Sequence, residues 1–278
     1  MDVVVLGATG RFASLVPTLA AAGHQVRAAT RDPGGARGRW LREAGVQVVR
    51  VDLDEPDTIE RAARGADAVF FAGTAHRAGP AGDVAHGRNV IGAVRAARVR
   101  HLVYVSVAGA DQPSQVPLLE SKRQVEQYLA ASGVPFTIVA PVYLMDNLWN
   151  PWNLPVGRFP SPVPPTRSLQ QVPLGDVVEF AAYALGHREQ VPGLRIEIAS
   201  DELTAVQAAG VVAGLTGRRL EVDAQVAGGP VPLFRWLDRV GYSIDIDRLR
   251  ERFPEVGWRR FAEWAKTQDW SAVTGPDR

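Results

Sequence analysis

Residues 1–13, Met-Asp-Val-Val-Val-Leu-Gly-Ala-Thr-Gly-Arg-Phe-Ala, constrain the fold more than any other stretch. Val3 to Leu6 is an unbroken apolar run, the pattern of a parallel strand buried on both faces. The run stops at Gly7, and a helical pattern begins at about Gly10. Strand, glycine-rich turn and helix in that order open a βαβ unit of the kind that holds a dinucleotide. Gly7 permits the tight turn, and Gly10 lets the backbone approach a pyrophosphate closely. Ala13 supplies the small residue that helix–strand packing needs at the third position of the fingerprint. The helix N-terminus offers unpaired N–H groups and the positive end of a dipole to the phosphates.

The next strand ends as a nucleotide site should. After Gly23, His24 to Asp32 reads as a strand, and Arg31 takes its tip where a reader of the ribose 2′-hydroxyl would be Asp or Glu. A guanidinium grips phosphate bidentately and stacks on flat rings such as adenine. Arg31 therefore favours NADP(H) over NAD(H). Asp32 follows at once and would reverse that preference if it, and not Arg31, faced the ribose.

Bulk properties exclude several classes. In 278 residues, 46% hydrophobic and 22% charged, the chain has enough apolar material for a full core. A formal net charge of +1 gives no reason to expect nucleic acid or an anionic membrane as partner. The absence of cysteine excludes disulfides, thiolate metal sites and cysteine nucleophiles. The five histidines (His24, His76, His86, His101, His187) lack metal-ligand spacing, so no metal is expected. With no basic segment ahead of a cleavable apolar one and no membrane-length apolar run, the expected location is the cytoplasm. A composition rich in Ala, Arg and Gly points to a high-GC bacterium.

The predicted elements alternate through residues 1–142: a first helix over Arg11–Ala22 kinked at Pro17, a loop at 34–38, a short helix at 40–44, a strand at 46–51, and a helix at 57–64. A strand at 68–72, a Gly- and Ala-rich loop at 75–85, a helix at 86–98, a strand at 101–106, a helix at 116–132 and a strand at 134–140 follow. That pattern predicts an α/β doubly wound parallel Rossmann sheet, residues 1–142, with a small C-terminal α/β substrate lobe, residues 143–278, of which 174–200 packs back on the sheet. Six of the seven tryptophans lie beyond residue 143, and 151–165 is rich in proline, which reads as a loop closing over the strand ends. A helix near Asp176, a strand at 195–199, a helix from a Thr204 cap to Leu215 and helical pieces over 231–264 complete the pattern.

Taken together these residues resemble the NmrA-like family of atypical short-chain dehydrogenases/reductases. The matching pieces are Gly7-Ala-Thr-Gly10, Val26 to Pro33, Asp52-Leu53, His101 to Val107, Ser121-Lys122 with Glu126, Ser132 to Pro141, and Asn147. The resemblance covers most of residues 1–220. It implies that Gly7, Thr9, Gly10, Arg11 and Phe12 line the pyrophosphate, that Arg31 holds the 2′-phosphate, and that Asp52 and Leu53 flank adenine. It also implies Ala72, Gly73 and Thr74 along the cofactor, Lys122 at the nicotinamide ribose, and Pro141, Val142 and Tyr143 beside the nicotinamide ring.

The chemistry departs from the wider short-chain pattern, in which a Tyr-x-x-x-Lys pair works with a strand serine because an ammonium lowers the phenol's pKa. Ser106 and Lys122 are present, but counting back from Lys122 places Leu118 where the phenol should be. The candidate catalytic residues are therefore Lys122, Ser106 and Tyr143, with water or the substrate itself as further proton sources. Lys122 and Glu126 would otherwise form an i,i+4 helical ion pair. Ser106 also reads as a plain strand-end hydrogen bonder, and Tyr143, Trp149 and Trp152 as either an apolar lid or core aromatics. The expected activity is NADPH-dependent transfer of hydride to a small-molecule quinone, enone or ketone, which needs little acid from the protein. The alternatives are a non-catalytic NADP(H) sensor and a natural-product tailoring isomerase or cyclase. A monomer or homodimer is expected.

Overall fold

A computed structural model describes residues 1–149, 157–223 and 231–271. The chain divides into two compact units, Met1–Ala140 with Val177–Ile196, and Pro141–Asp176 with Glu197–Arg278.

The first unit is built on β1 (Asp2–Leu6), α1 (Leu15–Ala21), β2 (Gln25–Thr30), α2 (Ala36–Glu43), β3 (Gln47–Arg50), α3 (Pro56–Ala63), β4 (Ala68–Ala72), α4 (Ala75–Ala96), β5 (Leu102–Val105), α5 (Pro117–Ala131) and β6 (Phe136–Pro141). Val3, Val4 and Val5 are fully buried, as a strand covered on both faces requires. β1 pairs in parallel with both β2 and β4, and β2–β3, β4–β5 and β5–β6 are parallel as well. The strand order is β10-β6-β5-β4-β1-β2-β3, where β10 (Arg195–Ile198) follows α6 (Leu174–Gly186). The order reverses between β1 and β4, and in open sheets of this kind the crevice beyond the strand ends at such a switch point takes the ligand.

Three local expectations are corrected. α1 begins at Leu15, not Arg11, because turns occupy residues 11–14. Pro17 consequently falls in the first helical turn, where a missing N–H costs no intrahelical bond, and the expected kink has no cause. Residues 75–85 are helical, not a loop: α4 runs from Ala75 to Ala96 with one break at Gly79 (φ 70°, ψ 174°). Pro80 restarts the helix directly after that break, at a position that tolerates proline.

The second unit contains β7 (Tyr143–Leu144), a 3₁₀ turn (Met145–Trp149), β8 (Arg158–Pro160), β9 (Ser168–Val172), β11 (Asp201–Thr204), α7 (Ala205–Thr216), β12 (Glu221–Asp223), α8 (Pro232–Arg239), α9 (Ile246–Arg252) and α10 (Phe261–Ala265). Its strands form the small sheets β11-β9-β7 and β12-β8. Thr204 caps α7 as expected: its hydroxyl accepts from the Gln207 amide at 3.1 Å, and the Gln207 side chain accepts from the Thr204 amide at 2.8 Å. Late aromatics make this unit's core, with Trp149 and Trp270 rings 5.0 Å apart and Phe261 and Trp264 5.4 Å apart. Trp149 thus takes the core reading, while Trp152 lies outside the described residues.

Candidate functional site

The glycine turn has the geometry the sequence asks for. Gly7 sits at φ 75°, a region an L side chain disfavours, and its carbonyl accepts from the Gly10 amide at 2.8 Å. A Cβ on Gly10 would stand 3.1 Å from that carbonyl, so the turn closes this tightly only with glycine there. The Ala8 amide bonds to the Ala29 carbonyl at 3.1 Å, and the Thr9 and Thr30 hydroxyls are 3.2 Å apart, which ties the turn to β2. The Phe12 ring packs on Phe70 with centroids 5.5 Å apart, leaving its backbone to border the turn. Because α1 starts at Leu15, residues 11–14 follow the glycine turn as further turns and not as a helical first turn.

At the end of β2, Thr30 is buried and Arg31 is exposed. Asp32 folds over its own loop: a Cβ on Gly35 would stand 2.6 Å from its carboxylate. Arg37, which the sequence reading passed over, donates to the Thr9 carbonyl and so brings a second guanidinium to the turn. The half-buried Asp52 and Leu53 follow β3, where the Asp52 amide donates to Thr58 Oγ1 at 3.0 Å and the Leu53 carbonyl accepts from Asn89 Nδ2 at 2.8 Å.

Lys122 does not pair with Glu126. Its ammonium lies 3.1 Å from the Asp83 carboxylate, with Lys122 5% exposed and Asp83 fully buried. Asp83 also accepts from the Thr74 amide at 2.5 Å and from Ser121 Oγ at 3.0 Å. Gly73 leaves room for the ammonium, since a Cβ there would fall 1.5 Å from Lys122 Nζ. Gly87 allows α4 to approach α5, because a Cβ there would meet Val125 at 2.6 Å. Burial lowers the Lys122 pKa, and the Asp83 charge opposes that shift. Lys122 Nζ also sits 5.7 Å from the centroid of the buried Tyr104 ring. Asp83 was hidden in the sequence by the Ala- and Gly-rich composition of residues 75–85; a lone carboxylate in that run was the only signal.

Glu126 turns to other partners. Ser106 Oγ donates to its Oε1, and Arg195 Nε donates to its Oε2 at 2.8 Å. Burial pushes Glu126 above the usual carboxylate range, while Arg195 holds it down. Ser106 thus lies beside α5 with its hydroxyl committed to a carboxylate. Leu118 lies half-buried in the first turn of α5.

In the second unit, Tyr143 opens β7, pairs with Gln171 of β9, and packs on the small cluster of Val163, Leu169 and Leu237. Pro141 ends β6, and the buried Val142 donates its amide to the Ile198 carbonyl at 3.1 Å. Among the described residues no group of three or more His, Asp or Glu side chains is placed to hold a metal. No described helix is long and apolar enough to cross a membrane.

A parallel sheet that reverses at β1 and β4, with a glycine turn at that point, is a Rossmann-type α/β fold. The chain belongs to the NmrA-like family, which matches residues 1–238. A photosystem II assembly factor of Cyanophora paradoxa is 27% identical over 161 residues, 56% of this chain and 50% of that protein. The (4-alkanoyl-5-oxo-2,5-dihydrofuran-3-yl)methyl phosphate reductase of Streptomyces griseus is 34% identical over 152 residues, 54% of this chain and 51% of that protein. The chain therefore spans about half the length of the curated relatives it matches. Among solved structures, Citrobacter sp. triphenylmethane reductase complexed with NADP(H) superposes with a TM-score of 0.79 at 20% identity, over 96% of this chain and 99% of that one.

Proposed function

We propose that the protein is an NADPH-dependent reductase that transfers hydride to a quinone, enone or ketone. The observation that carries this reading is the Gly7–Gly10 turn at the sheet's switch point, with the exposed Arg31 at the end of the neighbouring strand. The residues present fit a phosphorylated dinucleotide: a side chain at Gly10 would crowd the Gly7 carbonyl, so the backbone there stays bare, and the Asp32 carboxylate folds back over Gly35. Gly7, Thr9, Gly10, Arg11 and the Phe12 backbone would border the pyrophosphate, Arg31 the 2′-phosphate, and Asp52 and Leu53 the adenine. Ala72, Gly73, Thr74 and Lys122 would lie along the sugar toward the reacting end. A reduced nicotinamide supplies the hydride when bound, and the chain's task is to orient it and keep water away. The similarity to a reductase from Streptomyces griseus supports the same class.

A second reading, a protein that binds NADP(H) without consuming it, is favoured by one feature of the site. Lys122 is already matched by Asp83, and position 118 carries no phenol. The similarity to an assembly factor is consistent with that reading.

The test is NADPH binding by fluorescence, followed by NADPH consumption with menadione, a cyclic enone and a ketone. Binding with consumption is expected. Tight binding without consumption across the panel selects the second reading, and no affinity for NADPH or NADH overturns both.

A further inference from the structure

Arg31 and Asp32 stand side by side after β2, and they ask for different coenzymes. An acidic side chain at the end of that strand accepts from a ribose 2′-hydroxyl and repels a 2′-phosphate, whereas an arginine grips the phosphate. In this chain the carboxylate lies elsewhere, over the two glycines that follow Pro33. A Cβ on Gly35 would stand 2.6 Å from Asp32 Oδ2 and 3.1 Å from its Cγ, and a Cβ on Gly34 would stand 3.6 Å from Oδ1. The seat of the carboxylate is therefore the bare backbone of Gly35.

The loop that carries this seat is held from both ends. From α2, Arg42 donates to the Pro33 carbonyl at 2.6 Å and Arg39 donates to the Gly34 carbonyl. Gly38 is buried against the same loop, since a Cβ there would overlap the Pro33 carbonyl. The Gly35 amide donates to the Asp32 carbonyl at 3.3 Å. On the strand side, the Asp32 amide donates to Thr30 Oγ1 at 3.4 Å, and that oxygen is 3.2 Å from Thr9 Oγ1 of the glycine turn. With the backbone tied in this way, the Asp32 side chain is the part free to turn. A carboxylate pushed off Gly35 stays beside the end of β2, next to Arg31.

Resting on the dinucleotide-binding reading above, we propose that Gly35 is a specificity-determining residue: by lacking a side chain it stores the Asp32 carboxylate away from the ribose and leaves the 2′-phosphate to Arg31. The backbone does not require glycine there. Gly35 sits at φ −66° and ψ 167°, a region open to any L residue, and it is the N-cap of α2. What the position uses is the missing Cβ and not the freedom of a positive φ. A methyl group at Gly35 would evict the carboxylate while the loop keeps its course. The displaced Asp32 would then accept from the 2′-hydroxyl of NADH, repel the 2′-phosphate of NADPH and compete with that phosphate for the Arg31 guanidinium.

The experiment measures binding and needs no turnover. Wild type, Gly35→Ala, Gly34→Ala and the double variant Asp32→Ala/Gly35→Ala are titrated with NADPH and NADH by fluorescence, and with adenosine 2′,5′-bisphosphate and 5′-AMP by calorimetry. A hydrogen bond to a charged group contributes about tenfold or more in affinity, so Gly35→Ala should lower the NADPH-to-NADH affinity ratio by about that factor. The bisphosphate-to-AMP ratio should fall with it, which places the effect at the ribose. Gly34→Ala, whose methyl would meet the carboxylate only at an ordinary contact distance, should leave both ratios where they are. The double variant should return them to the wild-type values. Gly35→Ser, with a residue favoured at an N-cap, puts a Cβ at the same place and should act like Gly35→Ala. Unchanged ratios in both Gly35 variants, an equal shift in Gly34→Ala, or a shift that survives removal of Asp32 would overturn the role of Gly35 and leave the coenzyme reading standing. A wild type that prefers NADH would do the same, because its carboxylate would already serve the ribose. A wild type that binds neither coenzyme would overturn both together.

Discussion

The Lys122 ammonium and the Asp83 carboxylate meet 3.1 Å apart beneath the end of β4, both almost wholly out of water. Neither belongs to the element that forms the glycine turn. They meet because Gly87 lets α4 approach α5 and Gly73 leaves space for the amine. Such a pair gains little net stability, since burying two charges costs about as much as their attraction returns. Removing one partner is another matter. The survivor is then an uncompensated buried charge.

Asp83→Leu should therefore destabilise the fold by about 3–5 kcal/mol, the usual penalty for stranding one member of a buried pair. The double variant Asp83→Leu/Lys122→Met should recover most of that loss, because it removes both charges and fills the space. Urea unfolding of the two single variants and the double one checks this. Additive losses in the double variant would mean that the two groups do not interact.

Gly73→Ala tests the same pair from the backbone. The new methyl would coincide with the ammonium, 1.5 Å from Nζ and 2.9 Å from the Asp83 carboxylate, so the lysine must leave its partner. Overpacking of this kind costs about 1–3 kcal/mol. The cost should largely vanish in a Lys122→Ala background, where no amine occupies the space. An equal cost in both backgrounds would place the strain in the backbone instead.

The sheet and the turn were legible in the sequence because each follows a local rule. Val3 to Leu6 buries both faces, and Gly7 needs a positive φ that only neighbouring residues impose. The late start of α1 was not legible, since Arg11 to Ser14 are compatible with helix, while the Gly10, Ala13, Leu15 and Val16 amides bond to carbonyls three residues back and hold the stretch in turns. Nor was the choice of partner for Lys122. Glu126 lies at the helical spacing that favours an ion pair, yet it is captured by Arg195, 69 residues away, while Lys122 is captured by Asp83, 39 residues away. Local spacing loses to tertiary contact when both partners are buried. Residues 75–85 read as a loop for a similar reason: Gly79 and Pro80 do break the helix, but each fits one side of a single break.

Arg31→Glu should move coenzyme preference from NADPH toward NADH. A charge-assisted bond to phosphate contributes about 1.5–3 kcal/mol, so NADPH affinity should fall by roughly tenfold to a hundredfold while NADH affinity is retained or rises. Fluorescence titration with each coenzyme measures both. If the ratio of affinities did not change, Arg31 would not contact the 2′-phosphate, and the Arg37 guanidinium at Thr9 would be the next residue to replace.

His101 makes the last prediction, one about stability and pH. Thr137 Oγ1 donates to the Val191 carbonyl at 2.7 Å, so it can only accept from His101 Nε2, 3.0 Å away. That fixes the proton on Nε2 and leaves Nδ1 buried with no partner among the described residues. Burial, aided by Arg188, lowers the His101 pKa from 6.5 to about 4. Between those two values the unfolded chain binds a proton that the folded chain refuses. Stability is then complete above pH 6.5 and is lost progressively as pH falls toward 4, by about 3 kcal/mol in all. His101→Gln keeps a donor for Thr137 but has no second proton to accept, so its stability should fall less over that interval. Urea unfolding of both proteins from pH 4 to pH 7 isolates the difference from the carboxylates they share. Parallel curves would show that His101 takes up its proton in the folded state as readily as in the unfolded one.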